Sequence, residues 1–116
     1  MWTEQININV STIDYENTSR EITNTLKSLE QMVHGENDFI VTDSEFVFGW
    51  HFYVVCVNKA LAQKLSEQMG PSFDKIKGKG LEKKFLTWLS DKIQQKQLKV
   101  KLAIKEEMES SKYGIF

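Results

Sequence analysis

The chain has 116 residues, 15 basic and 16 acidic side chains, 41% hydrophobic residues, one proline and six glycines. That is the profile of one globular domain, with enough chain to bury a core unaided by disulfides or a structural metal. Its single cysteine, the absence of Cys–His pairs at zinc spacing and the absence of an apolar run of about 18 residues exclude a disulfide scaffold, a zinc module and a membrane helix.

In chain order, Ile6, Ile8, Val10 and Thr12 alternate with Asn7, Asn9 and Ser11, the period of a half-buried strand. Thr18 and Glu21 fit a capping box, and Ile22, Leu26, Leu29 and Val33 recur at helical spacing up to Gly35, which predicts a helix over 19–34. Phe39–Val41 reads as a short strand and residues 42–45 as a turn. From Phe46 to Val57 both alternating faces are apolar, the signature of a central strand covered on both sides, with Gly49 marking a bulge or a close backbone approach. Asn58 caps a helix carrying Leu61, Leu65 and Met69 and closed by Gly70-Pro71. Residues 71–80 form a loop, and Leu81, Phe85, Trp88, Leu89 and Ile93 mark a third helix. Leu98, Val100, Leu102 and Ile104 alternate with Lys99, Lys101 and Ala103, which favours an edge strand over the rival helix at 97–110. The expected fold is a single α+β domain over 1–116 in the order β-α-β-β-α-α-β. Its sheet is a mixed, mostly antiparallel one of four strands, with helices packed on it.

The near-neutral total hides a segregation of charge. Residues 1–50 carry −7 and residues 51–116 carry +6. Such asymmetry points to a charged partner, or to two halves that attract each other within the fold. Fourteen of the 15 bases are lysine, which argues against bidentate readout of bases by arginine.

No catalytic or metal motif is complete. His51 and Cys56 lie five apart in a predicted strand, so their side chains point to opposite faces. Lys77-Gly78-Lys79-Gly80 precedes a helix but lacks the phosphate-loop pattern. Lysines 75, 77, 79, 96, 99, 101 and 105 could form a stripe, but no aromatics are interleaved with them. Asp38, Asp43 and Glu45 bracket the turn without the spacing of a calcium loop, and read instead as acids facing a basic partner. The expected contact residues are Glu36, Asp38, Asp43, Glu45 and His51. No catalytic residue, cofactor or metal is expected.

The run Phe48-Gly49-Trp50 with Phe52, following an acidic turn, resembles an element of small immunity proteins in bacterial polymorphic-toxin and contact-dependent inhibition systems. The resemblance implies a stoichiometric inhibitor with no chemistry of its own, which binds a cognate toxin domain and covers its active site. Toxin nucleases are often basic, so the acidic half would be the contact. The alternatives are a phage or mobile-element protein binding a host enzyme or nucleic acid, and a small enzyme. The N-terminal MWTEQININV lacks the regions of a signal peptide, and the chain reads as a cytoplasmic monomer or weak dimer. Tyr113, Ile115 and Phe116 offer a docking strip or pack back onto the domain.

Overall fold

The computed structural model describes residues 2, 4–95 and 100–105. Its elements are β1 (Gln5–Thr12), α1 (Tyr15–Val33), β2 (Phe39–Val41), β3 (Glu45–Val47), β4 (Trp50–Asn58), α2 (Lys59–Met69), α3 (Pro71–Asp74), α4 (Gly80–Gln94) and β5 (Val100–Ile104). The class is α+β and the elements follow the expected order. One open sheet runs β2-β4-β1-β5, with β3 also paired to β4, and every pairing is antiparallel.

The alternation read in β1 holds. Ile6, Ile8, Val10 and Thr12 are buried under the helices, with Tyr53, Val55 and Val57 of β4 and Ile104 of β5 on the same face. The helices meet this face with Ile22, Leu26 and Leu29 of α1, Leu61, Ala62 and Leu65 of α2, and Phe85, Leu89 and Ile93 of α4. These are the i, i+3, i+4 and i+7 positions that make a helix amphipathic.

Two boundaries differ from the sequence reading. Helix α1 begins a turn earlier, because Asp14 is the cap: its Oδ1 accepts from Asn17 N at 3.1 Å. Thr18, expected as the cap, is buried, and its hydroxyl bonds the Thr12 hydroxyl at 2.8 Å. The α2 cap is as expected, with Asn58 Oδ1 accepting from Ala60 N at 3.1 Å. The presumed loop after it contains the single turn of α3. Strand β5 confirms the strand reading over 100–104; residues 97–99 and 106–110 lie outside the described residues, as do Lys96 and the 113–116 strip.

The larger correction concerns residues 46–57. They do not form one strand. The chain reverses at Phe48-Gly49, and β3 folds back on the start of β4, pairing Val47 with Trp50 and Glu45 with Phe52. Nor is β4 covered on both sides. The helices cover one face of the sheet; the other is open.

Beyond β3 the same edge of β4 continues with β2. Val41 pairs with Val55 and Glu45 with Phe52, so three residues on one strand oppose two on the other. β2 and β3 are therefore one edge strand interrupted by a bulge at 42–44. Counted so, the topology is a β-α-β-β-α-β arrangement with its first and third strands in the middle.

Candidate functional site

The β3–β4 hairpin is where the molecule departs most from what stability alone would select. Its two-residue loop, Phe48-Gly49, has φ of +51° and +85°, the pattern of a type I′ turn. Asn-Gly is the usual choice there, because a side chain with a Cβ is strained at positive φ. Glycine answers that demand at 49; phenylalanine at 48 does not. The Phe48 ring is also 97% exposed, so it contributes almost nothing to the core.

Other large apolar side chains surround it. Phe46 is 66% exposed, Phe52 44% and Trp50 41%, and Val47 is exposed as well; Ile40, also exposed, lies further along the sheet, opposite Cys56. Strand alternation sorts them. Glu45, Val47, Trp50 and Phe52 stand on the open face, with Val54 and Cys56 further along β4. Phe46 and His51 stand on the helix side. A concentration of exposed large apolar side chains at one hairpin is characteristic of interaction sites.

Polar contacts fix the hairpin's base. Val54 N donates to Thr42 Oγ at 2.9 Å, and Thr42 N donates to Val54 O at 3.0 Å. Tyr15 Oη donates to Thr42 O at 3.3 Å, and Ser44 Oγ lies 3.2 Å from His51 Nδ1. Tyr15 packs edge-on to Tyr53, with ring centroids 4.9 Å apart, and Phe46 lies 4.7 Å from the His51 ring. Held in this way, the bulge presents Asp43 and Glu45 outward, both exposed.

The expected contact residues do not converge. Glu36 and Asp38 precede β2, opposite Val57, whereas Glu45 is opposite Phe52; five residue steps of strand separate the groups by about 17 Å. Glu36 is exposed, but Asp38 is buried in the fabric of the fold. Its Oδ1 accepts from Asn58 Nδ2 at 2.9 Å, its Oδ2 from Glu36 N at 3.1 Å, and its own N donates to Glu30 Oε2 at 2.9 Å. Asp38 thereby joins the end of α1, the start of β2 and the cap of α2. His51 is half-buried and braces the bulge. Asp43 and Glu45 remain as acids at the hairpin.

The sequence reading missed Phe46, Phe48, Trp50 and Phe52 as surface, assigning them to a core strand. A signal was available: a twelve-residue strand is long against the usual five or six, and a glycine near its start marks a reversal as readily as a bulge.

His51 and Cys56 lie on opposite faces, as their spacing requires. Among the described residues no three His, Cys, Asp or Glu side chains gather as they would around a metal. Among the described residues, too, no helix is long and apolar enough to cross a membrane. Gly78, at φ +127°, is needed for packing, since a Cβ there would come within 2.8 Å of Lys83 Cβ. No family model, curated protein or solved structure matches the chain.

Proposed function

We propose that this domain is a non-enzymatic binding protein that neutralises a cognate toxin by stoichiometric complex formation, with the β3–β4 hairpin as its contact. One observation carries the reading: a strained, almost fully exposed phenylalanine stands at a turn where asparagine would fold better. Strain of this kind persists where it serves a function, and an exposed aromatic ring that fills a partner's pocket is the commonest type of binding hot spot. Asp43 and Glu45 beside it suit a basic partner, speeding its approach and excluding acidic surfaces. The resemblance of the Phe-Gly-Trp-x-Phe run to immunity proteins supports the toxin as that partner.

The test is co-expression. The neighbouring open reading frame, expressed alone, arrests growth; co-expression of this chain relieves the arrest and yields a 1:1 complex. Phe48→Asn folds but fails to protect. A harmless neighbour, or full protection by Phe48→Asn, would overturn the reading.

A further inference from the structure

We propose that two copies of this chain pair face to face through the open sheet surface, about a two-fold axis that runs along the strands between β1 and β4. The basis is a row of four residues lying straight across that face. Glu45 is paired with Phe52, Phe52 with Ser11, and Ser11 with Lys101. From one sheet edge to the other the row reads acid, large ring, small hydroxyl, base. Neighbouring strands lie about 4.8 Å apart, so the backbones of Glu45 and Lys101 are roughly 14 Å apart within one copy, with the Phe52 ring between them.

Half a turn about the proposed axis exchanges β1 with β4 and β5 with β3, and leaves position along the strands unchanged. Glu45 then faces Lys101 of the second copy, and Lys101 faces the second copy's Glu45. Each Phe52 faces a Ser11, a large side chain over a small one. Stacked sheets sit about 10 Å apart, a gap that a glutamate and a lysine reaching from opposite sides span. The incoming ring has room: a hollow of about 320 Å³ on this face is lined by Asn9, Ser11, Trp50, Phe52, Lys101 and Ala103.

The charges select the axis. A two-fold axis lying across the strands would stack β3 on β3 and bring the acidic edges together. Only the axis along the strands makes the surface complementary to itself, as an isologous interface must be. The same row speaks against a nucleic acid as occupant. Trp50 and Phe52 would offer stacking surfaces, but Glu45 stands directly opposite Phe52 and repels phosphate. The pairing also sends both Phe48 tips out at the same end of the dimer, leaving them accessible.

Sedimentation velocity of the purified full chain, from about 10 μM to about 1 mM, tests this. The wild type shifts from monomer to dimer over this range. Glu45→Lys and Lys101→Glu each weaken self-association by at least about tenfold, since each change acts twice across a two-fold interface. The double variant Glu45→Lys/Lys101→Glu regains the wild-type dimer, because the exchanged charges again face each other. Both positions are exposed, and circular dichroism confirms that the variants fold. A wild type that stays monomeric throughout overturns the proposal, as do single variants that dimerise normally and a double variant no better than the weaker single. Salt-sensitive binding of a poly-dT oligonucleotide in place of self-association does the same. The readout is self-association, so it stands apart from whether a toxin is bound.

Discussion

Replacing Phe48 by asparagine separates folding from binding. At φ +51° a residue with a Cβ pays for the left-handed conformation, at about 1–2 kcal/mol, whereas asparagine tolerates it through local hydrogen bonds. The ring is 97% exposed, so its removal forfeits almost no buried apolar area to offset that gain. Phe48→Asn is therefore expected to raise stability by about 1 kcal/mol, which for a domain of this size moves Tm up by about 4 °C. Phe48→Ala removes the ring but keeps a Cβ at the strained position, and leaves Tm close to wild type. Both variants lose the aromatic anchor and bind the cognate toxin domain at least about 30-fold more weakly, the effect of truncating a hot spot worth about 2 kcal/mol. Thermal melting and calorimetric titration measure the two halves. A Tm for Phe48→Asn equal to or below that of Phe48→Ala would refute the argument from strain. Unchanged binding by both would remove the hairpin from the interface.

Substitutions at three further positions test the packing of the domain. The Tyr53 hydroxyl is buried without a hydrogen-bond partner among the described residues, so Tyr53→Phe leaves stability unchanged or raises it by about 1 kcal/mol, read as Tm. Burial, and secondarily Tyr15, pushes the Tyr53 pKa above its ordinary 10.0; its contribution to stability is complete below pH 10 and is lost as pH rises beyond, so denaturant melts of Tyr53→Phe fall less steeply above pH 10. Gly35→Ala places a Cβ 2.6 Å from Asp38 Oδ2, displaces that carboxylate from its bonds and costs about 1–3 kcal/mol by urea titration. Asp38→Ala leaves Asn58 Nδ2 and Glu36 N without their acceptor and costs a similar amount, about 1–3 kcal/mol in the same titration, which marks it as structural.

How much of this the sequence discloses depends on whether the signal is local. The periods of β1, α1, α2 and α4 are properties of single segments, and the elements follow them. The Asn58 cap is equally local, and it forms. The Phe46–Val57 run is different, because apolar residues on both faces of a strand fit a doubly covered core strand and an exposed aromatic hairpin alike. Only the count of helical layers decides between them, and three main helices all go to one side of this sheet. Asp38 shows the converse. Its neighbours in sequence are those of a surface acid, and its burial comes from Asn58, twenty residues away. The charge segregation was legible, but not its layout: a residue's position in the sheet order β2-β4-β1-β5 is not a property of its own segment.

That layout gives the charges their use. An ion pair, Lys59 Nζ to Glu4 Oε2 at 2.9 Å, joins the acidic half to the basic half. The sheet itself carries acids at its β2–β3 edge and Lys101 at its β5 edge. Glu45 belongs both to the hairpin and to the row across the open face, Asp43 only to the bulge at the hairpin's base and Lys101 only to the row. The three residues therefore separate the two proposed contacts. Asp43→Asn slows association with a basic toxin domain and flattens its dependence on salt, while self-association stays at the wild-type level. Lys101→Glu does the reverse, weakening the dimer and leaving the toxin on-rate no slower. Glu45→Lys impairs both. Stopped-flow association rates at two ionic strengths, set beside sedimentation of the same proteins, read out all three. If Asp43→Asn and Lys101→Glu changed the same quantity, acid and base would be serving a single contact, and the assignment of separate surfaces to hairpin and open face would fall.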